Sequence, residues 1–204
     1  MANETFTIYF AHGQESGPWG TKIRRLAKEA KALGHRVESP DYSDLKSPEP
    51  RVERLLGLHP ELQAPLVLVG SSLGGWVSLK ASEKLRPSGL FLLAPAVGME
   101  VFSEASPPPH SGVCEVVQGW RDEVVPPDGV IRFAEQHRCT LHLLDSGHRL
   151  TDQLDRIAGL FTQFLSNLSK PLEASDSRSE WEREQEANFQ RKTLENQRPP
   201  FPRS

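Results

Sequence analysis

Cysteine is scarce in this sequence: Cys114 and Cys139 are the two among 204 residues. Two thiols cannot build a disulfide-rich scaffold or a four-thiolate zinc site, so stability has to come from an apolar core. One bridge between them is open by count. Each, however, lies in or at the start of an apolar run, which points to two reduced, partly buried thiols. An excess of basic charge is also lacking. Lys and Arg number 24 against 27 Asp and Glu, a net charge of -3, and without a basic stripe the chain does not read as a nucleic-acid binder. No window approaches the roughly 18 to 20 apolar residues of a membrane span. The opening MANETFTIYFAHG has no basic leader region, and its apolar run ends too soon for a secretory signal, so the expectation is a cytoplasmic protein. There is no H-E-x-x-H, and His, Asp and Cys do not recur at ligand spacing.

What is present is a regular alternation. Short apolar runs at Thr5 to Ala11, Arg36 to Ser39, Pro65 to Gly70, Gly89 to Ala94, Val113 to Gln118 and Cys139 to Leu144 read as six strands. Between and after them, segments of helical period occupy Gly20 to Gly34, Pro48 to Leu62, Gly74 to Leu85, Pro127 to His137 and Gln153 to Leu168. The third, fourth and fifth strands are nearly continuous in apolar residues, as strands covered on both faces must be. Strands alternating with helices of this length predict an α/β sandwich, a mostly parallel six-stranded sheet between two helical layers.

The pattern fills residues 1–168, which are read as one domain. Residues 169–204 differ: from Lys170 onward they hold seven basic and seven acidic residues and only two leucines. This charged tail is read as mobile, with the alternative of a helix over Ser179 to Gln197 that docks through Trp181 and Phe189. The other irregular stretch, Pro95 to Gly112, is expected above the C-terminal edge of the sheet or across one face. Its Met99 and Phe102 are candidate pocket walls.

The strongest local signal is Gly70-Ser71-Ser72-Leu73-Gly74-Gly75, a G-x-S-x-G pattern with a strand directly before it and a helix directly after. A serine forced into such a sharp turn has strained backbone angles and an exposed hydroxyl, and its neighbours must be tiny. A phosphate-binding loop would need the lysine of G-x-x-x-x-G-K-[ST], and a dinucleotide site would need G-x-G-x-x-G. Neither is there. Ser72 is thus the candidate nucleophile, and Ser71 occupies the wrong slot. A serine needs a base, and the base an orienting carboxylate. The loops after the fifth and sixth strands supply Asp122, with Glu123 as neighbour and competitor, and Gly147-His148. Ser72, Asp122, His148 is the chain order of a sheet hydrolase. Asp145 reads as a brace for the histidine turn. His12 braces its own loop, and the other histidines fall in connections, helix ends or strands. Two donors for the developing oxyanion are expected from the N–H groups of Leu73, at a helix start, and Gln14, after the first strand.

Together, His12-Gly13-Gln14-Glu15-Ser16, the elbow at Ser72, Trp120-Arg121-Asp122-Glu123-Val124-Val125-Pro126 and Gly147-His148 resemble the alpha/beta-hydrolase superfamily of serine hydrolases. More narrowly, they resemble the small YqiA/YcfP-type bacterial esterases. The resemblance implies hydrolysis of short acyl esters or thioesters, with Ser72, Asp122 and His148 in the roles above and no metal or cofactor. Relative to the full superfamily sheet, the pattern starts at what would be the third strand. The partner expected is a small-molecule ester or thioester, in a pocket with candidate walls Trp19, Trp76, Met99, Phe102 and Trp120. The short insertion leaves little material for a lid and favours small acyl groups. A homodimer stays open, and a non-catalytic binding module on the same fold is the rival reading.

Overall fold

Apolar runs that show no alternation in the sequence sort their side chains by parity once paired in a sheet covered on both sides. In the computed structural model, which describes residues 4–63, 65–99 and 102–169, the strands are β1 (Thr7–Ala11), β2 (Arg36–Glu38), β3 (Leu66–Ser71), β4 (Gly89–Leu93), β5 (Val113–Gly119) and β6 (Thr140–Leu144). All neighbouring pairs are parallel, in the order β2-β1-β3-β4-β5-β6. The helices are α1 (Thr21–Ala32), α2 (Pro48–Gly57), α3 (Leu73–Leu85), α4 (Pro127–His137) and α5 (Leu154–Leu168). Ile8, Phe10, Val67, Val69, Phe91, Leu93 and Val117 face the layer of α1 and α5. Tyr9, Leu66, Leu68, Leu90, Leu92 and Val116 face the layer of α2, α3 and α4. This is the three-layer α/β sandwich expected, with every strand pair parallel.

The order of strands locates the site. From β1 the chain passes through α1 to β2 on one side, then returns through α2 to β3 on the other side of β1. The loops leaving β1 and β3 therefore diverge to opposite faces and open a crevice at the carboxyl ends of these strands. Helix α1 begins at that crevice. It buries Ile23, Leu26, Ala27 and Ala30, a spacing of three and four that forms one apolar stripe. It ends at Gly34, whose φ of 86° suits a residue without Cβ.

Two segments differ from the expectation. The helix predicted over Pro48 to Leu62 stops at Gly57; His59 takes a φ of 50° and a 3-10 turn follows over Pro60–Gln63. The Pro60 ring clashes with the carbonyl four residues back and has no N–H to donate, so the helix cannot pass it. The stretch after β4 belongs to both predicted places. Ala96 N donates to Ser72 O (3.0 Å) above the sheet edge. The chain then crosses α3, where Trp76 Nε1 donates to Glu104 O (2.8 Å) and His110 N to Ser82 Oγ (3.0 Å). Cys114 and Cys139 are free thiols at the starts of β5 and β6. No helix among the described residues is long and apolar enough to cross a membrane. The predicted charged tail lies, beyond Ser169, outside the described residues.

Phe161 of α5 is fully buried and meets the rings of Phe10, Phe91 and Phe164 at centroid distances of 5.1 to 6.4 Å. It ties the closing helix to β1 and β4 at once. Phe161→Ala is expected to destabilise the fold by about 3 to 5 kcal/mol, read as the shift of the urea midpoint. A loss under about 1 kcal/mol would show that α5 is not part of the cooperative core.

Candidate active site

The turn from β3 into α3 places Ser72 at φ 54° and ψ -119°, a strained region for a residue with a side chain. Its backbone is held on both sides. Ser72 N donates to Leu93 O (2.9 Å), and Ser72 O accepts from Gly75 N (2.8 Å) and Ala96 N (3.0 Å). Glycine is required around it for steric reasons. A Cβ on Gly70 would run into Gly74 O, and one on Gly74 into Ala11 O at the end of β1. A Cβ on Gly75 would sit 2.7 Å from Pro95 Cβ. The G-x-S-x-G spacing thus records how tightly β1, β3 and α3 converge under the serine.

The loops after β5 and β6 are joined by their backbones. Trp120 N donates to Leu144 O and Arg121 N to Ser146 O, both at 2.9 Å. Arg121 also pairs with Asp145 (2.7 Å) on the exposed rim. Asp145 therefore braces the loop through a salt bridge to its neighbour. Within this frame His148 Nδ1 donates to Asp122 Oδ2 (2.8 Å), and Ser72 Oγ donates to His148 Nε2 (3.0 Å). A carboxylate only accepts, so the Asp122 bond assigns the proton to Nδ1 and leaves Nε2 free to receive one.

Asp122 is buried and fully occupied. Its Oδ1 accepts from Val124 N (2.9 Å) and Val125 N (2.8 Å), and its Oδ2 also accepts from Gln118 Nε2 (3.0 Å). Burial pushes its carboxyl up. The bond from His148 and the N–H groups of Val125 and Val124 outweigh that and hold it below the ordinary carboxylate value. Glu123, its sequence neighbour, points to solvent and takes no part.

On the opposite wall, the β1 loop is fastened from beneath. Buried His12 donates from Nδ1 to Gly13 O (2.7 Å) and accepts at Nε2 from Tyr42 N (2.9 Å). Burial holds its imidazole below the ordinary value, which keeps it neutral in this bracing role. Arg51 is 1% exposed, with Nη1 donating to His12 O (3.1 Å) and Nε to Leu45 O (2.9 Å). A Cβ on Gly13 would lie 3.4 Å from Ser72 Cβ, so this loop rests against the serine. Gln14 and Leu73 both line the cavity in front of Ser72. Leu73 opens α3, and its N–H belongs to the first turn, which has no acceptor within the helix.

That cavity has a volume of about 680 Å³. Met99 and Phe102 line it, as do Ile23, Val124 and Val125. The three tryptophans predicted as walls do not. Trp76 is completely buried behind Phe102 (centroids 5.6 Å apart) because α3 turns it into the core. Trp19 turns outward, with Lys31 Nζ 5.8 Å from its ring centroid. Trp120 is half-exposed on the β5 turn. Sequence reasoning did not single out Arg51, Gln118 or Lys22. An arginine sharing a helix stripe with Val52 and Leu55 was the available signal for Arg51. Gln118 and Lys22 carry no local signal, since their roles arise from distant partners. Among the described residues no cluster of three or more His, Cys, Asp or Glu side chains is placed to hold a metal.

The family model of the alpha/beta hydrolase family matches residues 8–186. A structure described as an alpha/beta-superfamily hydrolase from Xanthomonas campestris pv. campestris is similar at 30% identity and a TM-score of 0.73, covering 80% of this chain and 99% of that one. A serine hydrolase without a lid from Xanthomonas campestris aligns at 25% identity and a TM-score of 0.63, over 83% and 85% of the two chains. An alpha-beta serine hydrolase homologue from Coxiella burnetii shares the fold at 23% identity and a TM-score of 0.62, over 79% and 85%. No curated protein matches the sequence.

A carboxyl held below its ordinary value stabilises the fold above that value, and the contribution is lost as pH falls through the folded one. The wild-type protein is therefore expected to lose stability relative to Asp122→Asn below about pH 4. Parallel urea titrations between pH 7 and pH 3 check this. A constant gap between the two midpoints would show that the ionised carboxylate contributes nothing to the fold.

Proposed function

The chain belongs to the alpha/beta hydrolase family, and from that membership we propose that it is a serine hydrolase cleaving small carboxylic esters through an acyl-enzyme. The observation that carries the reading is the unbroken relay from Ser72 Oγ through His148 to Asp122, at 3.0 and 2.8 Å. In the proposed reaction Ser72 Oγ attacks the acyl carbon while His148 Nε2 takes its proton. Asp122 holds the imidazole in the receiving tautomer and stabilises the imidazolium. The carbonyl oxygen gathers negative charge toward the Gln14 and Leu73 N–H groups, and loss of one such donor costs about 3 kcal/mol, roughly 100-fold in rate. His148 returns the proton to the departing alcohol. It then takes one from water, which attacks the acyl-enzyme and frees the acid and Ser72.

The cavity volume suits a small-molecule substrate, and its apolar walls at Met99, Phe102 and Val124 favour short acyl chains. This agrees with the resemblance to the small YqiA/YcfP-type esterases. A thioester offers the same carbonyl to the same relay, so the substrate test carries each acyl group on both oxygen and sulfur leaving groups.

Intact mass after incubation with a small fluorophosphonate tests the nucleophile without requiring the natural substrate. A single adduct on the wild type and on Ser71→Ala, absent from Ser72→Ala, is the expected result. Folded wild-type protein that takes no adduct would overturn the reading and favour a non-catalytic binding role. On any ester that is turned over, Asp122→Asn is expected to lower kcat by on the order of 10³- to 10⁴-fold.

A further inference from the structure

The cavity in front of Ser72 holds a charge that the reaction does not use. Lys22, in the first turn of α1, lines it and is partly buried. Its ammonium has no hydrogen-bond or ion-pair partner among the described residues. Buried or half-buried charges in proteins are ordinarily paired, because leaving water costs them solvation. The nearby carboxylate, Asp122, is not available, since both its oxygens are taken by Val124, Val125, His148 and Gln118. Burial lowers the Lys22 ammonium to about 8, with the charge of Asp122 opposing the shift. It is thus still largely charged at neutral pH.

Its surroundings reinforce the positive sign. The first turn of α1 contains no acidic residue, and the partial positive charge of a helix start adds to the ammonium there. Arg149, next to His148, also lines the cavity. Among the lining residues the opposing carboxylate is Glu15, at the exposed mouth. Asp122 is saturated by its own donors and Glu15 stands at the mouth, so neither bonds the Lys22 ammonium, which is left to meet one negative group of a ligand. A single ammonium is a point charge that suits a carboxylate, whereas a phosphate dianion is better met by several donors or an arginine fork.

We propose that the substrate of this site carries a carboxylate beside its scissile ester, and that Lys22 receives it. The inference rests on the serine-hydrolase reading and narrows it to monoanionic esters such as half-esters of dicarboxylic acids. Lys22 is then a specificity-determining residue, and the apolar wall of Met99 and Phe102 packs the carbon chain between the two polar ends.

The test uses two fluorophosphonates with the same short alkyl chain, one ending in a carboxylate and the other in its methyl ester. Their second-order rates of Ser72 labelling are read by intact mass on the full chain. The carboxylate probe is expected to label the wild type roughly tenfold faster or more, the size of a hydrogen bond to a charged group. Lys22→Met should bring the ratio of the two rates to about one, and Lys22→Arg, which keeps the charge, should restore most of it. The ratio is independent of how much of a variant is folded. Equal rates in the wild type, or a preference that survives Lys22→Met, would overturn the inference and leave the hydrolase reading standing. Labelling by neither probe would overturn both.

Discussion

The backbone of Ser72 cannot hold its conformation unaided. A serine at φ 54° and ψ -119° costs on the order of 1 to 3 kcal/mol relative to an ordinary turn, so its surroundings must prevent relaxation. Here they do so by crowding. The end of β1 presses on Gly74, Gly74 presses on Gly70, and Pro95 presses on Gly75. Hydrogen bonds from Ser72 reach β4 and the segment after it. Relaxing the turn would require separating β1, β3 and β4, which form the middle of the core. The strain is thus held by the hydrophobic burial of the sheet, and the presentation of the serine to the cavity is a consequence of that packing.

The same convergence organises the other groups. Because β1 and β3 are paired side by side up to Ala11 and Gly70, the loop bearing Gln14 and the turn bearing Ser72 start next to each other and flank the crevice. Arg51, buried and bonded to His12 O, fixes the first loop from below. The loops after β5 and β6, joined by their own backbone bonds, bring Asp122 and His148 in from the other direction. Each functional side chain therefore stands at the end of a strand, and strand register sets the relay distances.

Electrostatics separates the two sides of the cavity. Asp122 has every lone pair engaged by N–H donors, one of them the imidazole it orients, so it has none left for a further hydrogen bond. Lys22 shares its low-polarity surroundings but has no such set of partners. An enclosed charge with all its partners is structural, whereas an enclosed charge without them is an opening for a ligand. Asp122 lies buried behind His148, whereas Lys22 lines the cavity itself.

Much of this was legible in the sequence because it depends on local chemistry. The alternation of apolar runs and helical periods encodes a parallel sheet, since parallel strands need crossover helices. The glycines about Ser72 mark the elbow because no other residue fits that turn. Asp122 and His148 were legible from their place after strands in a fixed order. Contacts between distant segments were not. Pro60 ends α2 early, yet where Leu58 and Leu62 then lie depends on the neighbours they meet. The three tryptophans looked like pocket walls because size and apolarity suit that role, but helix phase turned Trp76 into the core and two turns sent Trp19 and Trp120 outward. Lys22 reads in sequence as an ordinary helix-start lysine. Only the fold brings it into the cavity that Ser72 also lines, because burial and pairing are properties of the assembled structure. The sequence by itself determined the layers, the elbow and the identity of the three relay residues. The tertiary structure alone decided the walls of the cavity and the charge inside it.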